Sequence, residues 1–287
     1  MKGDAPHRLD VRPGAGRRKQ SAIGARLCTV LLLSALPLFA QAQPTAADGI
    51  AQYRALLADG NPAELWEAKG EVLWKQRRGP KAASLEACDL GRGPGVVKGA
   101  FVELPRYFAD TQRVQDLESR LLTCMEMLQG LNAADIAATP FGRGEQLNIE
   151  GLVAYVSAES RGLHFNLSQA NAEERRMYEV GKRVFFFRGG PYDFSCASCH
   201  GEEGKRIRLQ DLPNLTHNPG DGIGFAAWPA YRVSSGELWG MQRRLNDCYR
   251  QQRFPYPGYG SDATIALGVY MGVNSKGAAS IAPSLKR

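Results

Sequence analysis

Three things are scarce in this chain: charge of one sign, compositional bias and long apolar runs. Of its 287 residues, 44% are hydrophobic and 23% charged. Those are ordinary globular values, which exclude a disordered, a collagen-like or a polytopic membrane chain. The formal charge of +7 is not spread over the body. Lys2, Arg8, Arg12, Arg17, Arg18, Lys19 and Arg26 stand against Asp4 and Asp10 in residues 1–42, which carry +5 and leave +2 for the rest. A body this near neutrality has no electrostatic reason to hold nucleic acid.

One apolar run exists, from Ala22 to Ala40, interrupted by Arg26 and densest at Val30-Leu31-Leu32-Leu33. The stretch after Arg26 is too short to span a bilayer comfortably. Basic residues precede it, and the small residues Ala40 and Ala42 follow. Residues 1–42 therefore read as a cleavable signal peptide, cut after Ala42 or Ala40, that delivers the chain to the periplasm without stable membrane insertion. Cys28 leaves with the signal. Five cysteines remain, Cys88, Cys124, Cys196, Cys199 and Cys248. An oxidising compartment favours pairing, and an odd number leaves at least one for another task.

Cys196-Ala197-Ser198-Cys199-His200 reads C-x-x-C-H. The further ligands that half a zinc site would need at short spacing are missing, and so is the βαβ context of a redox dithiol. What the motif fits in an exported chain is covalent attachment of one haem c. Two thiols three positions apart on a turn reach the two vinyl groups of one porphyrin, and the adjacent histidine places a ring nitrogen on the iron. A helix over Glu173 to Phe187, with Tyr178, Gly181, Val184 and Phe185 at helical spacing, leads into the motif. His217, Met241, Cys248 and Met271 are the downstream candidates for the sixth ligand. Met is the usual partner in electron-transfer cytochromes, and His217 reads more simply as a surface or haem-propionate group.

The chain also repeats itself. Arg120-Leu121-Leu122-Thr123-Cys124 parallels Arg244-Leu245-Asn246-Asp247-Cys248, and each is followed by an apolar helical segment, Ile149 to Gly162 and Ile265 to Gly277. Cys88 precedes the first unit much as Cys196 and Cys199 precede the second. The expected fold is mainly α, with two tandem cytochrome-c-like domains, 43–165 without haem and 166–287 with one. Cys88 and Cys124 are then the natural disulfide of the haem-less copy, and Cys248 is left alone. Arg244 lies one helical turn before Cys248 and on the same face. Its guanidinium can hold two oxygens of an anion at once. Arg243 and Arg250 read as a solvated basic face. A thiolate beside Arg244 and iron is expected to have a lowered pKa and to remain nucleophilic.

Cys88-Asp89-Leu90-Gly91-Arg92-Gly93-Pro94-Gly95, Leu104-Pro105-Arg106-Tyr107-Phe108, Cys196 to Gly201, and Arg243 to Cys248 together resemble the SoxA family. These are the larger subunits of the SoxAX cytochromes of bacterial thiosulfate oxidation, and the likeness is to the single-haem form. It implies an L-cysteine S-thiosulfotransferase that conjugates thiosulfate oxidatively to a cysteine of the SoxY subunit of the SoxYZ carrier. His200 and Cys248 would be the axial ligands, with Cys248 a persulfide-bearing catalytic residue and Arg244 the substrate-binding one. The partner implied is a small cytochrome of the SoxX type, with room for a third small subunit. Two other readings stay open. One is a plain electron carrier ligated by Met241 or Met271. The other is a carrier-independent thiosulfate dehydrogenase that forms tetrathionate.

Overall fold

The computed structural model describes residues 60–286, save 208–209 and 219–223, together with isolated positions 48, 49, 52 and 55. The signal peptide expected over 1–42 lies outside the described residues.

Two helix crossings organise the fold, and both are made at glycine. Helix α1 (Ala63–Lys75) crosses α4 (Gly144–Ala158), and α5 (Ala172–Phe186) crosses α8 (Asp262–Asn274). A Cβ on Gly70 would lie 2.0 Å from the carbonyl oxygen of Gly151, and one on Gly181 would lie 1.9 Å from that of Ala266. Any larger residue would force the backbones apart. α5 starts where Asn171 caps it and Glu174 returns the bond to the Asn171 N–H, a reciprocal pair that satisfies two exposed donors. It buries Met177, Gly181 and Phe185, one stripe at four-residue spacing. The helices expected from 149 and 265 begin earlier, at 144 and 262, and end before Gly162 and Gly277, both at positive φ.

Between the paired helices, each half carries the same small hairpin. Strand β1 (Arg106–Phe108) pairs with β2 (Arg113–Gln115), Arg106 opposite Gln115. A second pair, β3 (Arg206–Ile207) with β4 (Gln210–Asp211), follows the C-x-x-C-H motif. In the second half β5 (Ala230–Arg232) pairs with β6 (Glu237–Trp239), Ala230 opposite Trp239. A cis proline precedes β1 and β5, Pro105 and Pro229, and each turn places a residue at positive φ, Gln112 and Gly236. A helix follows at once, α2 (Leu117–Cys124) or α7 (Met241–Gln251). The residues therefore correspond one for one from Leu104 to Cys124 and from Trp228 to Cys248. Two short helices complete the set, α3 (Ala133–Ala138) and α6 (Cys196–His200). Strand β7 (Ser284–Lys286) joins β5 in parallel and has no counterpart in the first half among the described residues.

One apolar core runs through both halves, from Leu73 and Trp74 to Tyr270 and Met271. Residues near the expected boundary at 165/166 are laced to the C-terminal segment. The Phe165 N–H donates to Ala278 O (2.9 Å), and Gly277 N–H donates back to Phe165 O (2.9 Å). The Phe165 ring meets Phe101 edge-on at 5.5 Å and Phe225 at 5.4 Å. Polar contacts also cross the join. α7 has no side-chain cap of its own, and the Glu118 carboxylate of α2 accepts its Gln242 N–H at 3.0 Å. Burial, and then Asp116 nearby, raise the pKa of Glu118 well above the carboxylate range. Gly240 leaves room for this approach, since a Cβ there would sit 2.3 Å from Glu118 Oε1.

Candidate active site

The C-x-x-C-H residues occupy the single turn of α6. Ser195 caps it, and the Ser198 hydroxyl accepts the Ser195 N–H at 2.9 Å. The His200 ring lies 2.9 Å, through Nδ1, from the carbonyl oxygen of Pro213. A carbonyl can only accept, so Nδ1 carries the proton and Nε2 keeps its lone pair. Burial lowers the His200 pKa, with the Pro213 contact working against it and Arg244 adding to it. The imidazole is thus held neutral, the form that binds a metal.

α7 brings Cys248 to the same place. Cys196 is pushed up to about 12, first by burial and then by the nearness of Cys248 and Cys199. Cys248 is itself raised by burial, and Asp247 and Cys199 add to this, while Arg244 and Arg232 pull it down. The lowered pKa expected from sequence is therefore not produced by the protein's own groups. Removing the thiol from water outweighs two guanidiniums. Arg244 lies one turn before Cys248, as expected. It donates to Asp247 Oδ2 at 3.1 Å and lies 5.7 Å from the centre of the Trp228 ring.

The basic face expected of Arg243 and Arg250 divides. Arg250 is exposed and pairs with Asp247 at 2.7 Å. Arg243 is half-buried, held by Glu150 at 2.8 Å and by Glu237, with its guanidinium 4.7 Å from the Trp239 ring centre. It joins the two halves, because Glu150 comes from α4.

The other ligand candidates lie elsewhere. Met241 opens α7, two turns from Cys248, in a cavity at the join lined by Phe101, Leu104, Trp228 and Pro229. Met271 is part of the buried core. His217 is exposed, with Nε2 against Asn214 and Glu203 and Nδ1 against the Asn218 carbonyl. Cys88 and Cys124 form a disulfide, both buried. The Gly70 and Gly181 crossings and the bridges Arg78 with Ala83 and Gly189 with Phe194 keep one register. That register sets Leu85, Cys88 and Asp89 level with Cys196, Cys199 and His200. Arg232 drew no notice in the sequence. Its position follows only when the hairpins are superposed, where it replaces Phe108.

Two thiols on one turn, a neutral imidazole with Nε2 free and a third thiol beside them form a donor set that fits haem c.

The L-cysteine S-thiosulfotransferase subunit SoxA of Hydrogenophilus thermoluteolus is 52% identical over 265 residues, covering 92% of this chain and 97% of that protein. The chain belongs to the SoxA family. A SoxA subunit of Hydrogenobacter thermophilus is 33% identical over 79% of this chain and 82% of its own. The family model for the SoxA/TsdA cytochrome c domain matches residues 69–165, the half that lacks C-x-x-C-H. The crystal structure of SoxXA from P. pantotrophus shares the fold, with a TM-score of 0.68 over 82% of this chain and 84% of that one, at 23% identity. As a SoxA protein, this chain is a subunit of an L-cysteine S-thiosulfotransferase. It is helix-rich and carries the cytochrome c domain that implies haem c. No helix among the described residues is long and apolar enough to cross a membrane.

Proposed function

We propose that this chain is the periplasmic, single-haem subunit that joins thiosulfate oxidatively to a cysteine of a SoxY-type carrier. Its domains would be 43–165 without haem and 166–287 with one haem, behind a signal peptide over 1–42. Cys196 and Cys199 would hold the haem covalently, and His200 and Cys248 would be its axial ligands. The observation that carries the reading is the placement of Cys248. With Cys88 and Cys124 bonded to each other and Cys196 and Cys199 on the haem-binding turn, it is the remaining thiol among the described residues, half-buried beside that turn with Arg244 one turn away. The names of the relatives support a SoxX-type cytochrome as partner and thiosulfate as substrate.

The residues divide the work. The Arg244 fork holds sulfonate oxygens and turns the outer sulfur of thiosulfate toward Cys248. The Cys248 thiolate and thiosulfate join as Cys248–S–S–SO3⁻, releasing two electrons. A bound haem would accept one electron at a time, so both electrons would leave through two successive haem reductions or one through the haem and one directly to the partner cytochrome. The carrier thiolate then attacks the sulfur bonded to Cys248–S, takes the S–SO3⁻ group and frees Cys248 as thiolate. Burial favours the neutral His200 ring, and the Pro213 carbonyl that accepts from Nδ1 fixes its tautomer and orientation.

The test uses the assembled complex with its carrier. Cys248→Ala should shift the haem absorption spectrum and abolish conjugation. Arg244→Ala should keep the spectrum and lower kcat/KM by roughly tenfold to 150-fold, the worth of one charge-assisted contact. A Cys248→Ala protein that keeps both spectrum and conjugation would overturn the reading.

A further inference from the structure

The two halves place the same arginine in opposite circumstances. In the first half Arg120 is closed in. Its Nε donates to Asp89 O at 2.7 Å, its Nη1 to Asp110 at 2.8 Å and 3.0 Å, and its guanidinium lies over the Phe108 ring at 4.0 Å. Its side chain is 5% exposed. In the second half both side-chain partners are replaced, with Ser234 level with Asp110 and Arg232 with Phe108. The main-chain carbonyl level with that of Asp89 belongs to His200 and accepts from the Leu215 N–H. Arg244 keeps one carboxylate, Asp247, and is 22% exposed.

The exchange of Phe108 for Arg232 is the informative one, because it sets a second guanidinium where an aromatic ring would close the first. Arg232 is half-buried on β5, its guanidinium 5.1 Å from the Trp239 ring centre. Its Nε is buried with no hydrogen-bond partner, and among the described residues it forms no ion pair. Burial, and then the charge of Arg244, lower the Arg232 pKa, with Asp247 and Cys248 working against them. Two converging cations, one with an orphaned buried donor, form a costly arrangement unless an anion completes it.

We propose that Arg232 is a second thiosulfate-binding residue, forming with Arg244 a two-guanidinium cradle beside Cys248. Asp247 is shared between Arg244 and Arg250, so with Arg232 the group carries a net +2 that matches the dianion, and three sulfonate oxygens suffice for both forks. A monoanion would leave one guanidinium uncompensated, so the pair also selects for doubly charged substrate. The ring of Trp239 lies against the Arg232 guanidinium, as that of Trp228 does against Arg244, a contact that favours the cation. The inference rests on Cys248 and Arg244 acting as proposed above.

Steady-state kinetics on the haem-loaded complex with its carrier decides it, comparing Arg232→Gln, Arg232→Lys and Arg244→Gln. Arg232→Gln should lower kcat/KM for thiosulfate roughly ten- to hundredfold, mostly through KM, with the haem spectrum unchanged. Arg232→Lys should recover part of the loss, since an ammonium keeps the charge without the fork. A normal kcat/KM in Arg232→Gln beside a depressed one in Arg244→Gln would overturn this inference alone. Normal values in both would overturn the underlying reading as well. If Arg232→Gln fails to load haem, Arg232→Lys decides. A KM raised about threefold or more supports the cradle, and an unchanged KM overturns it.

Discussion

Gly181→Ala should cost more than a single methyl group normally does. The new Cβ would stand 1.9 Å from Ala266 O, 2.6 Å from Ala266 C and 2.9 Å from Tyr270 Cβ. The first two obstacles are backbone, so no rotamer change relieves them, and α5 and α8 must separate by about 1 Å in a close-packed core. Overpacking of this kind costs ~3 kcal/mol, and alanine returns ~1 kcal/mol of helix propensity. The net loss of ~2 kcal/mol should lower the melting temperature by roughly 4–8 °C for a chain of this size. Gly70→Ala meets Gly151 O at 2.0 Å in the matching crossing, so its stability cost should agree within ~1 kcal/mol. Only Gly181→Ala should also disturb the haem spectrum, because α5 leads into the C-x-x-C-H turn. Urea unfolding followed by circular dichroism and by haem absorption reads both effects. A Gly181→Ala protein within ~0.5 kcal/mol of the parent would refute the crossing as the origin of the glycine.

Replacing both Cys88 and Cys124 by serine opens a loop with a sequence separation of 36. It should lower stability by ~2–5 kcal/mol while the haem spectrum stays intact, and loss of the spectrum would tie the disulfide to the haem site directly. Burial raises the Glu150 carboxyl to about 7 against the pull of Arg243. The folded state therefore binds that proton more tightly than the unfolded chain, and stability falls as pH rises from about 4.5 to 7. Glu150→Gln should flatten melting temperature against pH over that window, with Glu118 leaving a residual slope in both proteins. Parallel curves would show that Glu150 does not govern the slope.

The chemistry of this protein is legible where it depends on short spacing. The turn proposed to hold the haem needs two thiols and an imidazole within five residues, and the sequence alone displays them. The Arg-x-x-x-Cys repeat likewise places Arg244 and Cys248 on one helix face, because 3.6 residues per turn is a local rule. The same repeat points to Cys88 and Cys124 as partners, which the structure joins. Two basic residues on α7, Arg243 and Arg250, look alike in sequence and have opposite fates.

Their difference is a tertiary fact. Arg243 is half-buried because Glu150, on a helix of the other half, reaches it, and Arg250 is exposed because nothing covers it. The direction of the Cys248 pKa shift was unreadable for the same reason, since desolvation depends on what packs around the thiol rather than on its neighbours in the chain. Arg232 is the clearest case. Sixteen residues before Cys248 in sequence, it acts on the thiol's charge only because a four-residue turn folds β5 back along β6, and α7 then starts after Gly240 alone. Sequence by itself determined which atoms could hold a haem and which thiol was left over. Tertiary structure decided which charges surround that thiol, because electrostatic neighbours are chosen by packing.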